Sequence, residues 1–253
     1  MDYLMEEVLK IQTDDIKEFL LQTSILEQMS APLCNAVLSR NDSQQILEML
    51  EKNNMFVIPL DDERSWYRYH HLFADLLKQR LHIRDKAAII ELHNKAIEWF
   101  KDNAMPLLAI EHAIETENFE KSILFLGEIV ETMWKNGQHA AIMKYGDLLP
   151  DEIIKKNADF CLYYAWILII AGKVKKAEPF LVSAEIITMQ IINDKNSSKE
   201  NIQCNKKLLG KIFVAFAYLY SIIADLEKTF SNCYAAMENL SEDDPFWYSW
   251  GWY

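Results

Sequence analysis

The sequence predicts a mainly α-helical protein that carries one β-hairpin near its start and paired helices after it. Only 6 glycines and 6 prolines occur in 253 residues, which favours long helices over short strands joined by tight turns. Hydrophobic residues make up 51% and charged residues 25%, the composition of an ordinary globular protein with a buried core. A chain of this length can form two domains.

Helical patterns fill the first fifty residues. Thr13 precedes two aspartates, an arrangement typical of an N-cap followed by acidic residues in the first helical turn. A third helix is predicted from Pro32 to Leu38, and a fourth is predicted to begin at Asp42 or Ser43. The first helix is predicted from an apolar stripe formed by Leu4, Val8 and Ile11. The second is predicted from a stripe formed by Ile16, Phe19, Leu20 and Leu26.

The pattern changes from helical to extended after these helices. Two runs of aromatic and β-branched residues, 55–60 and 66–69, flank a polar segment, and such an arrangement predicts a β-hairpin. Pro59 suits an edge position because it has no N–H to donate to a neighbouring strand. A helix is predicted after the hairpin, over HHLFADLLKQRL. Helices followed by a hairpin and a further helix predict a winged-helix-like domain, which we place at residues 1–84.

Residues 85–253 are predicted to be helical, with the helices in consecutive pairs. Small residues recur in the third pair at Ala165, Gly172, Ala177 and Ala184. These are the small-residue positions of the 34-residue tetratricopeptide pattern. We therefore predict a tetratricopeptide-like α-α superhelix in this region. Because the repeats are degenerate, an irregular helical bundle is the alternative.

Two further expectations concern a loop and the last residues of this region. The polar segment Asn193–Gln203 is predicted to be a loop that precedes the fourth pair. The final run, DPFWYSWGWY, is expected to begin the first helix of a further repeat, so that the array is truncated. The alternative is a hydrophobic docking patch.

The net charge and the spacing of the cysteines limit the classes of protein that fit this sequence. The net charge of −12 and the pI near 5.0 argue against a nucleic-acid-binding segment, because such domains need a basic face to neutralise phosphates. Cys34, Cys161, Cys204 and Cys233 form no CxxC pair, which indicates reduced thiols in a cytoplasmic protein. The first residues do not resemble a signal peptide, and the two most apolar stretches are too short or too interrupted to span a membrane.

A search for reactive motifs finds none. Gly172-Lys173 and Gly210-Lys211 lack the upstream glycine and the following Ser or Thr of a phosphate-binding loop. His82, His93 and His112 stand singly on predicted helices, so no metal-ligand pair is evident, and no nucleophile elbow occurs. We therefore predict no enzyme activity, no catalytic residue, no metal site and no cofactor within this chain. Stacked helix pairs instead predict a concave surface for peptides, partner domains or small effectors.

The hairpin and its flanking helices carry a family resemblance. The run LDDERSWYRYHHLFADLL lies within a dense match over residues 2–84. It closely resembles the arm domain of LuxR-type ATP-dependent bacterial transcriptional regulators, the maltose-activator-like members of the STAND class of signal-transducing ATPases. A looser resemblance continues through LHNKAIEWF, GQHAAIMKYGDLLP and AWILIIAGKVKKAEPFL, and covers essentially the whole chain.

Regulators of this family have four parts in order: an ATPase, a winged-helix arm, a tetratricopeptide-like sensor and a LuxR-type helix-turn-helix domain. The chain resembles the second part and the beginning of the third. The resemblance therefore implies an interior fragment, whose parent protein is a P-loop ATPase switch that binds ATP or ADP and DNA. The implied partners are the adjacent ATPase and helix-turn-helix domains, with a small-molecule inducer or regulatory protein on the repeats. Direct nucleic acid binding by this segment and membrane contact are not expected.

One residue of the arm has an implied role. In related ATPases, a histidine of an MHD-like motif in the winged-helix domain contacts the β-phosphate of bound ADP and helps hold the resting state. The stretch Tyr69-His70-His71-Leu72 resembles this motif and aligns His70 with its histidine, although His71 replaces its aspartate. The resemblance implies that His70 senses the nucleotide, since an imidazole can donate a hydrogen bond to a phosphate oxygen. The alternative is that His70 only caps the helix or packs beneath the hairpin.

The leading hypothesis for function follows from this resemblance. The chain is expected to be a regulatory or sensor fragment of an ATP-dependent transcriptional activator, coupling effector or partner binding on the helical repeats to a nucleotide switch. The competing hypothesis is a tetratricopeptide scaffold for protein–protein interaction, without nucleotide dependence. The sequence does not identify the effector-binding residues.

Overall fold

The computed structural model describes residues 6, 7, 9–240 and 247, apart from the side chains of residues 86 and 87. Helices dominate this part of the chain, and the one sheet in it is a two-stranded antiparallel hairpin. The predicted fold class, a mainly α-helical winged-helix-like domain followed by paired helices, is therefore confirmed.

Three helices lie between residues 14 and 52, and side-chain caps begin the first two of them. They are α1 (Asp14–Thr23), α2 (Ala31–Leu38) and α3 (Ser43–Lys52). The Thr13 and Ser30 hydroxyls each accept a hydrogen bond from the backbone N–H three residues further on, so they satisfy donors that a helix N-terminus leaves free. The predicted cap at Thr13 is thus confirmed.

The hairpin lies where the extended pattern predicts it. Strands β1 (Val57–Pro59) and β2 (Tyr67–Tyr69) pair in antiparallel register, with Pro59 opposite Tyr67. Tyr67 also exchanges two backbone hydrogen bonds of 2.7 Å with Met29. The β2 strand is therefore tied to the segment between α1 and α2, whereas β1 and its proline lie at the edge.

Three further helices complete the first compact unit, Met1–Asn118. They are α4 (His71–Arg84), α5 (Lys86–Asp102) and α6 (Pro106–Glu115). The α5 helix packs against α2, α4 and α6. The first helix pair, α5 and α6, therefore belongs to the same compact unit as the hairpin. The predicted domain boundary after residue 84 stays a prediction, because a compact unit of the structure need not coincide with an evolutionary domain.

The second compact unit, Phe119–Tyr253, consists of helices packed on their neighbours in the chain. Its most apolar helix, Ala158–Ile170, is buried on nearly all sides, which is what a helix without a polar face requires. No helix among the described residues is long and apolar enough to cross a membrane. The helices are α7 (Phe119–Lys135), α8 (His139–Leu148), α9 (Asp151–Ile154), α10 (Ala158–Ile170), α11 (Val174–Asn193), α12 (Lys199–Ile222) and α13 (Leu226–Asn239).

The same left-handed turn joins the two helices of every pair. It falls at Ala104, Gly137, Gly172 and Ala224, with φ between 56° and 74°. In each case the backbone N–H of the left-handed residue donates to the carbonyl three residues before it. The N–H of the following residue donates to the carbonyl five residues before itself. This pair of hydrogen bonds is a common helix ending. The first two intervals are 33 and 35 residues, close to the tetratricopeptide period of about 34. The third interval is longer because α11 and α12 have 20 and 24 residues.

Replacing Ala224 with glycine is expected to stabilise the chain by about 0.5–1 kcal/mol. The Cβ atom of Ala224 is unfavourable at φ 60°, and glycine removes that cost. Urea unfolding of the Ala224→Gly variant measures the change. The control is Ala235→Gly within α13, where glycine should instead destabilise by about 1 kcal/mol. A less stable Ala224→Gly variant would contradict the assignment of this turn.

The loop before α12 is shorter than predicted. The predicted loop over Asn193–Gln203 is wrong in its second half, because α12 begins at Lys199 and the Ser198 hydroxyl accepts a hydrogen bond from the N–H of Asn201. The stripe residues Leu4 and Val8, and the final aromatic run apart from Trp247, lie outside the described residues.

Candidate nucleotide-sensing site

The hairpin runs directly into α4, and His70 is the single residue between them. The His70 N–H donates to the Phe56 carbonyl over 2.8 Å. The His70 carbonyl accepts hydrogen bonds from the N–H groups of Phe73 and Ala74, at 2.9 and 3.0 Å. His70 is thus the N-cap residue of α4, and its backbone is held from both the hairpin side and the helix side.

The His70 side chain is half-buried, and one of its ring nitrogens is unpaired. Its Nδ1 atom is buried and has no hydrogen-bond partner among the described residues. The imidazole stacks on the ring of exposed His71, with 4.5 Å between centroids. The Phe73 N–H already donates to the His70 carbonyl, so this helix end offers an anion only the N–H groups before Phe73, together with the helix dipole. The junction therefore places an imidazole beside a helix N-terminus, an end of a helix that favours anions.

Aromatic packing anchors this junction to the core. The Phe73 ring lies 5.1 Å from the ring of Phe56 and 5.8 Å from that of Tyr69. The Tyr69 hydroxyl and the Thr23 hydroxyl form a buried hydrogen bond of 2.6 Å, and burial raises the pKa of Tyr69 above its ordinary value. A displacement of His70 would therefore disturb a chain of contacts that reaches α1.

A second histidine cluster lies in the first compact unit, and sequence reasoning missed it. The Nδ1 atoms of His93 on α5 and His112 on α6 are 2.8 Å apart. Both side chains are buried, and the Phe100 ring stacks on His112 at 5.3 Å. The two histidines were predicted to stand singly, and the structure corrects this because α5 and α6 bring them together. Neither periodicity nor spacing signals a contact across two helices.

The histidine pair is most simply read as a satisfied core contact. One neutral ring must donate and the other accept, because a single N–H fits between the two nitrogens. Burial lowers the pKa of both histidines, and the charge of Lys78 lowers each of them further. Within the described part of the chain, no group of three or more His, Cys, Asp or Glu side chains could hold a metal ion.

The second compact unit has a cluster of aromatic rings on the first helices of its pairs. Trp134 lies on α7, Tyr163 and Trp166 on α10, and Tyr218 on α12. Ring centroids are 5.6 Å apart for Trp134 and Tyr163, and 5.3 Å apart for Trp166 and Tyr218. Trp247 adds a fifth ring 5.9 Å from Trp166. We call these five residues the aromatic cluster.

Paired charges border the aromatic cluster. The buried Lys211 ammonium donates to Glu131 over 3.0 Å and lies 5.8 Å from the centre of the Trp247 ring. Lys135 contacts the same Glu131 oxygen at 2.9 Å. Burial alone would raise the pKa of Glu131, but the hydrogen bonds from the two lysines outweigh it and lower this pKa. Three of the five rings of the aromatic cluster are buried, so only its partly exposed rings can meet a ligand.

Comparison with known proteins matches the first part of this chain to a protein family. Residues 5–89 match the family described as the MalT winged helix domain. The HTH-type transcriptional regulator MalT of Vibrio campbellii is 27% identical over 185 residues, which cover 73% of this chain and 20% of that protein. The protein of the same name from Vibrio cholerae is 26% identical over 204 residues, 81% of this chain and 22% of its own length. The MalT regulator of Yersinia enterocolitica is 30% identical over 166 residues, which cover 66% of this chain and 18% of that protein.

The chain therefore spans about a fifth of the length of the curated relatives it matches. These relatives are transcriptional regulators, which supports a regulatory role. The matched region contains the hairpin, His70 and α4, and the similarity to whole regulators extends beyond it into the helical repeats. Residues 5–89 therefore match the MalT winged helix domain family, and most of the chain resembles a segment of MalT-like transcriptional regulators.

Proposed function

We propose that the chain is the regulatory and sensor segment of an ATP-dependent, LuxR-type transcriptional activator of the STAND class, acting in the bacterial cytoplasm. Its winged-helix domain would contact a nucleotide held by an ATPase domain, and its tetratricopeptide-like repeats would receive a small-molecule inducer or a regulatory protein. The names of its relatives support regulation of transcription. The nucleotide switch and the effector go beyond those names.

The unpaired His70 imidazole carries the nucleotide part of the proposal. A buried Nδ1 without a partner is unfavourable unless another interaction of the ring compensates for it. In the tautomer that leaves Nδ1 without a proton, Nε2 carries the N–H and is the ring nitrogen that would donate to an external acceptor. An Nε2–H group at the N-terminus of α4 suits a phosphate oxygen of ADP or ATP. His70 would orient the phosphate and report which nucleotide is bound.

The aromatic cluster is our candidate site for the effector, which would contact its two partly exposed rings, Trp134 and Tyr218, because the other three are buried. It lies on α7, α10 and α12, the first helices of three successive pairs, which contact one another in the order α7, α10, α12. A ligand seated there would touch several repeats at once. Such a ligand switches the protein only if it binds one arrangement of the repeats better than another.

Replacing His70 with alanine in the full-length regulator should speed ADP release. A hydrogen bond to a charged phosphate contributes about 1.5–3 kcal/mol, so we expect ADP to dissociate about 10- to 100-fold faster. Transcription without inducer should rise, because the resting state is held less tightly. Stopped-flow release of a fluorescent ADP analogue and a reporter assay measure the two effects.

His82→Ala is the matched control for this experiment. His82 is exposed on the same helix, so its removal should leave ADP release within about twofold of the wild type. If His70→Ala releases ADP at the wild-type rate while the control behaves as expected, His70 has no part in nucleotide sensing.

A tetratricopeptide scaffold without nucleotide dependence is the second candidate. The left-handed turn within each helix pair favours it, since two of the three intervals between these turns are near 34 residues and stacked pairs alone can bind partner peptides. A GxxxxGK[ST] motif in the coding sequence before this segment would support the switch. Its absence there would support the scaffold.

A further inference from the structure

Phe56 has an unusual backbone conformation at the start of the hairpin. Its φ of 57° places it in the left-handed region, which bulky L-residues rarely adopt. Other described non-glycine residues in this region either follow a helix or lie in the tip of the hairpin, whereas Phe56 immediately precedes β1. They are Ser39, Asn54, Arg64, Ala104, Glu117 and Ala224.

Two contacts hold Phe56 in this conformation. Its carbonyl accepts the His70 N–H over 2.8 Å. Its half-buried ring packs against the fully buried Phe73, one turn into α4. The preceding residue is fixed as well, since the Met55 N–H donates to the Leu50 carbonyl over 2.9 Å. A sparsely populated conformation persists only where the surroundings determine it in this way, and such residues cluster at functional sites.

The backbone of Phe56 and the position of His70 are therefore coupled. The direction of the Phe56 carbonyl depends on its dihedral angles, and a relaxed extended conformation would turn this carbonyl away from His70. The His70 N–H would then lose its acceptor. Because His70 is the N-cap of α4, the direction of its imidazole relative to the helix end would change too.

We propose that Phe56 is a positioning residue for His70: its left-handed backbone and its contact with Phe73 hold the imidazole in the orientation that meets a phosphate at the N-terminus of α4. This inference rests on the proposed nucleotide contact of His70. It assigns Phe56 no contact with the nucleotide itself.

The first test uses the chain alone and observes the His70 ring by NMR. In the Phe56→Val variant, the β-branched residue opposes the left-handed region, so the ring nitrogen chemical shifts of His70 should change. Phe56→Gly accepts this region and should keep the shifts closer to the wild type despite the loss of the ring. Asn54→Gly is the matched control, because Asn54 is left-handed in the same loop but does not bond to His70. Thermal unfolding of each variant confirms that it folds.

The second test measures ADP release from the full-length regulator. Phe56→Val should accelerate release about tenfold or more, approaching the effect of His70→Ala. Phe56→Gly should stay within about threefold of the wild type. The double variant Phe56→Val/His70→Ala should release ADP no faster than His70→Ala alone, since two residues that act through one contact are not additive.

Unchanged His70 shifts in folded Phe56→Val, or additive effects in the double variant, would overturn the positioning role. A normal rate of ADP release in His70→Ala would instead reject the nucleotide contact. The NMR comparison would then still decide whether Phe56 sets the orientation of His70. The two failures are therefore distinguishable.

Discussion

Gly146→Ala is expected to destabilise the second compact unit by about 1–3 kcal/mol, the usual cost of overpacking a core. In an ordinary helix the same change would stabilise by about 0.5–1 kcal/mol, because alanine has less backbone freedom to lose than glycine. The sign reverses here because a Cβ atom at residue 146 would lie 2.1 Å from Cε2 of Tyr164.

Tyr164 cannot move aside at low cost. Its side chain is fully buried, and its ring packs 5.1 Å from that of Phe180. Its hydroxyl donates to Asp147 over 2.9 Å and accepts from Lys176 over 2.8 Å. A shift of the ring would break these hydrogen bonds together with the packing, so the clash cannot be relieved by one side-chain rotation.

Chemical unfolding in urea, monitored by circular dichroism, measures the Gly146→Ala effect. Gly137→Ala provides a comparison, because nothing lies within 4 Å of the added Cβ and only the positive φ of 71° opposes it. That control should cost about 1 kcal/mol. In Gly146→Ala/Tyr164→Ala the clash is removed, so the two changes should cost less together than the sum of their separate effects. Wild-type stability of Gly146→Ala would contradict the close approach of α8 and α10.

Acidification from pH 7 to pH 5 is expected to remove about 2–4 kcal/mol of stability through His93 and His112. Burial depresses the pKa of both histidines in the folded protein, whereas in the unfolded chain the pKa is about 6.5. Their stabilising effect is complete above about pH 6.5. It is lost as the pH falls toward the folded-state pKa values, because the unfolded chain binds protons that the folded pair does not.

The pH effect is isolated by comparison with a variant that has no titratable pair. In His93→Leu/His112→Phe, the loss of stability between pH 7 and pH 5 should be smaller by about 2–4 kcal/mol. The control His82→Gln/His139→Gln removes two exposed histidines and should follow the wild type. Urea unfolding at pH 7, 6 and 5 provides the free energies. Parallel pH profiles for the wild type and the pair variant would show that the two histidines are not held neutral by the fold.

Local features of the fold could be predicted from the sequence, whereas tertiary contacts could not. The cap at Thr13 and the hairpin around Pro59 follow from residue types and their spacing. The helical start of α12 was missed because its first residues are polar, although Ser198 offers a cap. The small residues of the third pair follow a known pattern, but the clash partner of Gly146 depends on which helix lies opposite.

The candidate site likewise combines a residue that the sequence could suggest with contacts that only the structure reveals. His70 could be proposed from a resemblance in the sequence, and the structure adds that its Nδ1 is buried with no partner in the described part of the chain. The left-handed conformation of Phe56 had no signal, since phenylalanine is a poor residue for it. The contact between His93 and His112 depends on the packing of α5 on α6, which sequence periodicity does not determine.

The packing of α5 on the winged-helix domain decides where the chain can be cut for biochemical work. A protein that ended at residue 84 would expose the faces of α2 and α4 that α5 covers, and it would lose the contact between the rings of Trp66 and Trp99 at 6.4 Å. The first compact unit ends instead at Asn118. An isolated arm that extends to Asn118 keeps the contacts of α5 with α2 and α4 and is the better starting point for crystallisation and NMR.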